Sequence, residues 1–186
     1  LVNVLNIGKE NAMVGQSSSS NTYLTGAAVP GDQGTILWGD DANEKCKRTG
    51  WQPWHTYKLT RPFDVKDLDS TFGSCFFIKA QGVVLDCDGY VIKGVYPYTN
   101  TNSKGVEIAS DSVVVKNREI KNFFEGVRIK SGVNNAQSLS NKLHVNMYGI
   151  ILDPNAKYNT IYDNEIISNG NSGIWFFSGA SSNTVQ

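Results

Sequence analysis

The sequence predicts an all-β fold, a right-handed parallel β-helix (a solenoid) with an irregular N-terminal cap. Three observations predict it. Four segments share a Gly-apolar-x-apolar start: Gly105-Val106-Glu107-Ile108, Gly126-Val127-Arg128-Ile129, Gly149-Ile150-Ile151-Leu152 and Gly173-Ile174-Trp175-Phe176, at intervals of 21, 23 and 24 residues. Asn pairs five residues apart run in phase with them, at Asn117/Asn122, Asn141/Asn146 and Asn164/Asn169. The composition suits short strands and tight turns, with 18 glycines, 5 prolines and 18% charged residues, the last below the roughly 25% of ordinary domains.

One such period makes a coil of short strands and turns that pairs with the coils before and after it. Side chains alternate along each strand. The first and third residues after each glycine are therefore expected inside: Val106/Ile108, Val127/Ile129, Ile150/Leu152 and Ile174/Phe176. The second and fourth are expected outside: Glu107/Ala109, Arg128/Lys130, Ile151/Asp153 and Trp175/Phe177. The glycine is expected to allow a corner at positive φ. The Asn residues are expected to point inward at successive corners and bond peptide groups that the bend leaves unpaired. Asn117, Asn141 and Asn164 should then stack as a ladder. No 3.6-residue apolar period runs through this part of the chain, which excludes helical and leucine-rich repeats. A β-sandwich would not repeat Gly and Asn in phase.

Residues 1–54 hold an apolar opening, a Ser run at Ser17–Ser20 and turn residues at Pro30-Gly31-Asp32. They are expected to be extended strands and loops that cap the first coil or dock on a neighbouring subunit. Trp51 and Trp54 should pack over that coil. Residues 55–186 form the coils, with one longer loop at Val95–Lys104 that carries Tyr96 and Tyr98. The last segment, Ser182-Asn183-Thr184-Val185-Gln186, repeats Tyr158-Asn159-Thr160-Ile161-Tyr162. The coils are therefore expected to continue beyond the sequence or to stack on another subunit.

The segment Cys75 to Tyr90, with Val83-Val84-Leu85-Asp86-Cys87-Asp88-Gly89 at its centre, resembles the opening segment of the right-handed parallel β-helix repeat superfamily. With the coils, the resemblance covers residues 55–186. It is similar to the carbohydrate-binding and sugar-hydrolase type found in surface proteins. It implies the fold directly, and it implies a surface location and contact with carbohydrate as expectations.

The formal net charge is zero and the basic residues are scattered, so nothing attracts nucleic acid. No apolar run reaches the roughly 18 residues of a membrane span. The three cysteines, Cys46, Cys75 and Cys87, form no CxxC pair. A Cys75–Cys87 disulfide is the favoured pairing, because both lie near the first coil on consecutive strands; three buried thiols are the alternative. Arg128-Ile129-Lys130 is similar to the substrate-binding Arg-Ile-Lys of polygalacturonases, but that family's Asn-Thr-Asp and Gly-His-Gly motifs are missing. Arg128 with Glu107, and Lys130 with Asp153, read more plainly as exposed ion pairs between coils. Asp86 and Asp88 are a weak candidate pair for Ca²⁺, without the stacked acids of a lyase. His55 and His144 lie in distant segments and suggest no metal site.

The outward face turns from charge to large apolar groups along the chain. Ile151, Trp175 and Phe177, with Tyr96 and Tyr98, are candidates for a subunit interface or for stacking on sugar rings. With no complete catalytic set, the reading leans away from an enzyme. The leading expectation is a secreted or cell-surface structural subunit that self-associates into a homopolymer, such as a filament, surface layer or adhesin. The alternative is a polysaccharide lyase or hydrolase, or its carbohydrate-binding fragment.

Overall fold

The computed structural model describes residues 35–37, 50–65, 73–96 and 101–186. Among these residues there are strands and turns and no helix. Three parallel sheets run the length of the stack. The first has seven strands in the order Thr35–Leu37, Thr56–Leu59, Val84–Asp86, Val114–Lys116, Gln137–Leu139, Thr160–Tyr162 and Thr184–Val185. The second has five longer strands: Ser74–Ile78, Lys104–Ile108, Glu125–Ile129, Tyr148–Leu152 and Ser172–Phe176. The third has Phe63–Asp64, Val91–Lys93, Glu119–Lys121, Lys142–His144 and Glu165–Ile167. The chain visits the three sheets in turn, so the fold is a parallel β-helix of about five coils.

The register follows from the sequence period. Phe76, Val106, Val127, Ile150 and Ile174 stand one above another in the second sheet, and Ile78, Ile108, Ile129, Leu152 and Phe176 form a parallel column. All but Phe76, Ile174 and Phe176 are fully buried. Ile92, Ile120 and Leu143 fill the tube from the third sheet, and Leu85, Val115 and Ile161 from the first. Each buried aliphatic side chain of this kind contributes roughly 1.5–3 kcal/mol of transfer free energy. At the start of the stack, Trp51 packs edge-on against Tyr57 and Phe76. The Trp54 ring lies against Gly82, where a Cβ would collide with it.

The repeated glycines act differently from expectation. Gly105, Gly126 and Gly149 are not among the positive-φ residues. A Cβ on Gly105 would sit 2.7 Å from the Gly126 carbonyl oxygen and 2.6 Å from Ile120 Cγ2, and one on Gly126 would sit 2.6 Å from the Gly149 oxygen. These positions face the core and need glycine because successive coils approach too closely for a side chain.

The corners are made by other residues. At the corner between the first and third sheets, positive φ falls on Asn117, Ser140 and Asp163; between the third and second, on Asn122, Val145 and Ser168; between the second and first, on Ser112, Asn135, Tyr158 and Ser182. The next residue then points into the tube. Where it is Asn, its amide bridges to the preceding coil. Asn159 Nδ2 donates to the Val133 carbonyl at 3.1 Å, and Asn159 Oδ1 accepts the Ala136 N–H at 2.8 Å. Asn146 does the same with Ile120 and Phe123, Asn169 with Leu143 and Asn146, Asn183 with Ala156 and Asn159, and Asn164 with Ser138 and Asn141.

Asn117 does not belong to this ladder. It occupies the bend itself, at φ 56°, and its Nδ2 donates to Asp86 Oδ1. The ladder place below Asn141 is taken by Arg118, which is buried in the tube. Arg118 Nη2 donates to Cys87 Sγ at 2.9 Å. Cys87 is a buried free thiol, so the expected Cys75–Cys87 bridge is not formed. Burial pushes its pKa up to about 11, although the Arg118 charge pulls the other way. Cys46 lies outside the described residues.

Two substitutions check the corner argument by urea denaturation. Asn159→Ala leaves the Ala136 N–H without a partner inside the tube and takes one of two donors from the Val133 carbonyl, which keeps the Lys157 N–H, and should cost about 1–3 kcal/mol. Val145 is β-branched yet holds φ 52°, where the equivalent positions are Asn122 and Ser168. Val145→Asn should therefore stabilise by about 1 kcal/mol; an unchanged or lower midpoint would remove strain from the account of this corner.

Candidate functional site

The outer face of the second sheet gathers the chemistry. Its five strands stack in register at a spacing of roughly 4.8 Å, so outward side chains form columns. One column is Phe77, Glu107, Arg128, Ile151 and Trp175, and another is Ser74, Lys104, Glu125, Tyr148 and Ser172. The second column exists because the glycine interrupts the in-out alternation. Gly126 and Val127 both face the core, so Glu125 before them and Arg128 after them both face out. Strict alternation would turn Glu125 inward, which is why the sequence pattern passes over it.

Arg128 joins two coils. Its Nε donates to both oxygens of Asp153 at 3.0 and 3.1 Å, and its Nη1 donates to Glu125 Oε1 at 2.8 Å. Lys130 pairs with Glu107 at 3.1 Å, and Ser74 Oγ also donates to Glu107. The pairing is thus the reverse of the expected one: Arg128 reaches the following coil and Lys130 the preceding one. Nor are the acids exposed. Glu107, Glu125 and Asp153 are all buried beneath the longer side chains. Lys104 is buried as well, with Nζ bonded to the Asn102 carbonyl and Oδ1 at 3.0 and 2.9 Å.

The carboxyls differ in their titration. For Glu107, burial raises the pKa, but the bonds from Ser74 and Lys130 and the Lys104 charge outweigh it and hold the group below its ordinary value. For Glu125, burial wins. The charges of Arg128 and Lys104 oppose it without overcoming it, and Asp153 adds repulsion, so the pKa is raised. One guanidinium is shared between two carboxylates, and the second oxygen of Glu125, Oε2, is buried with no hydrogen-bond partner.

Aromatic rings wall this charged cluster. Phe124 meets Tyr148 edge-on at 5.6 Å, Tyr148 meets Trp175 at 5.6 Å, and Trp175 lies 6.0 Å from Phe177. Together with Glu125, Arg128 and Ile151 they enclose a pocket of about 180 Å³. Trp175 and Phe177 are 39% and 40% exposed, as their outward positions require. Ile151 is not an exposed residue; it is 4% exposed, covered by its neighbours in the column, and serves as the pocket floor.

The other candidates lie elsewhere. Tyr96 is exposed beyond the strand Val91–Lys93 and does not line this pocket; Tyr98 lies outside the described residues. Asp86 is buried, and its Oδ1 accepts the Asp88 N–H and the Asn117 amide while Oδ2 faces Lys116 at 3.3 Å. Burial alone would raise its pKa, and these partners hold it below the ordinary value. Asp88 holds the bend at φ 47° and is exposed. A broader, open hollow of about 400 Å³ lies at the corner of Asn117, Ser140 and Asp163. Its rim is already paired, Lys142 with Glu165 and Ser140 with Asp163. His144 bonds Glu119 at 2.8 Å on the third sheet, away from the pocket. Among the described residues no helix is long and apolar enough to cross a membrane.

A family model described as the right handed beta helix region matches residues 81–186, more than half of the chain. No curated protein and no solved structure matches it.

The raised pKa of Glu125 has a signed consequence. Its stabilising contribution is complete below the ordinary value of 4.5 and is lost as pH rises through the higher folded value. Glu125→Gln, which fixes a neutral side chain there, should gain stability relative to the parent on going from about pH 4 to about pH 7. Urea midpoints at the two pH values measure this. A variant that loses ground at the higher pH would show that the Arg128 pair, not desolvation, governs the site.

Proposed function

Since this chain belongs to the right-handed beta helix family, we propose that it is a carbohydrate-binding β-helix acting outside the cell, with its site on the outer face of the second sheet. The observation that carries the reading is the pocket in which Tyr148, Trp175 and Phe177 stand beside Glu125 and Arg128. Exposed ring faces match the apolar C–H faces of pyranoses, and buried polar groups beside them fix orientation.

Binding is favoured over cleavage. Hydrolysis uses two carboxyl groups that stand free on opposite sides of the scissile bond. Here Asp153 and Glu125 hold the same guanidinium, and Asp153 gives it both oxygens. The cluster is a fixed recognition surface.

A second reading is favoured by the exposure of Trp175 and Phe177: the same rings form a contact between copies of the chain in a surface assembly. Sedimentation velocity separates the two. Concentration-dependent polymers that vanish in Trp175→Ser support assembly, and a monomer at all concentrations removes it.

Affinity electrophoresis against soluble polysaccharides, followed by calorimetry on any that retard the protein, tests the main reading. Trp175→Ala should weaken binding about tenfold, which corresponds to about 1.4 kcal/mol. Absence of retardation by neutral, acidic and amino-sugar polymers alike would overturn it.

A further inference from the structure

We infer, resting on the saccharide-binding reading above, that the pocket selects an amino sugar: a pyranose chain carrying an unacetylated, positively charged nitrogen. Three features of the pocket converge on that chemistry.

The first is charge. Glu125, Arg128 and Asp153 form one hydrogen-bonded unit with two carboxylates and one guanidinium. The nearby Lys104 ammonium is committed to Asn102, and Lys130 is committed to Glu107. Glu125 therefore holds only a shared hydrogen bond from Arg128, and the Lys104 charge balances the set without bonding to it. The second is an unused acceptor. Glu125 is 5% exposed, lines the pocket, and its Oε2 has no partner. A buried carboxylate oxygen of this kind gains most from a charged N–H donor, because a charge-assisted hydrogen bond is stronger than a neutral one. The third is the wall. Phe124, Tyr148, Trp175 and Phe177 present ring faces and edges around the same space, and aromatic rings attract an ammonium group through their negative faces.

Alternative sugars fit less well. A uronate would bring its carboxylate against Glu125, and the guanidinium that would receive it is occupied by Asp153 and Glu125. A neutral hexose would stack on Trp175 but would bring no charged donor to Glu125. An N-acetylated sugar carries a neutral amide in place of the ammonium.

Calorimetry with four probes tests this: glucosamine tetramer, N-acetylglucosamine tetramer, cellotetraose and tetragalacturonate. The glucosamine tetramer should bind about tenfold more tightly than the N-acetylated one. Glu125→Gln should shrink that ratio to within about twofold. Tetramethylammonium should compete with the glucosamine tetramer in the parent protein, while sodium at equal ionic strength should not, a readout that needs no variant. Equal or tighter binding of the N-acetylated, neutral or uronate probe, still dependent on Trp175, would sink the amino-sugar inference and leave saccharide binding standing. Glucosamine binding unaffected by both Trp175→Ala and Glu125→Gln would mark diffuse surface charge and sink the inference too. Binding of none of the four would sink both.

Discussion

The structure depends on in-register stacking of its corners. Strands in a parallel sheet pair without help, but a coil must also bend three times, and every bend removes peptide groups from the sheet ladder. Here each bend is closed by a left-handed residue followed by an inward side chain. Where that side chain is Asn, one amide ties two coils, donating to a carbonyl and accepting an otherwise unpaired N–H of the coil before it. This works only if the same bend recurs at the same place one coil later. The glycine column adds a second demand for identity, because the carbonyl of one coil occupies the place of a side chain on the next. Stacking therefore enforces a period, and the period makes columns of side chains on the outer face as well as the inner one.

Those outer columns explain the site. Placing one residue per coil brings side chains within about 5 Å of their counterparts without any loop having to fold around them. Arg128 can then hold an acid from its own strand and another from the next coil. Crowding removes water from the acids, and the result diverges with local bonding. Glu107 receives a hydroxyl and an ammonium and stays low; Glu125 receives part of one guanidinium and is pushed up. The same columns carry the change from charged to aromatic groups along the axis, so that a polar cluster and a ring platform meet at Glu125, Tyr148 and Trp175.

What was legible in the sequence follows from the same constraint. The inner columns could be read directly, because aliphatic residues at fixed distances from a glycine leave little freedom in register. The corner Asn residues could not all be assigned, since Asn serves in two adjacent roles. It tolerates the left-handed bend, as at Asn117 and Asn122, and it fills the ladder place one residue later, as at Asn141 and Asn146. A pair spacing of five is identical in either role. Asn159 and Asn183 form a third ladder whose signal, a repeated Asn-Thr, was visible but not linked to a corner. Glu125 was missed because the glycine breaks the alternation on which outward positions were counted. Ile151 was assigned to the surface correctly by direction and wrongly by exposure, since neighbours in an outer column cover each other. The pairing of Cys87 failed because sequence proximity could not show that Arg118 would enter the tube and take the sulfur as its partner.

The exceptions to hydrogen-bond satisfaction then acquire meaning by position. Most ladder amides use both ends. Asn141 does not: its Oδ1 lacks the backbone N–H that Asn164 Oδ1 receives, at the level where the coil below carries Arg118. That oxygen lies inside the tube. Glu125 is a different case. Its unused oxygen is on the outer face, beside rings that the fold does not need for its core, in a cluster already rich in carboxylate. Replacement by an apolar residue would relieve the buried charge at no expense to the corners or the inner columns. A fold that satisfies its polar groups through strict repetition thus holds an unsatisfied, buried acid in the lining of an aromatic pocket, a cost that its core and corners do not require.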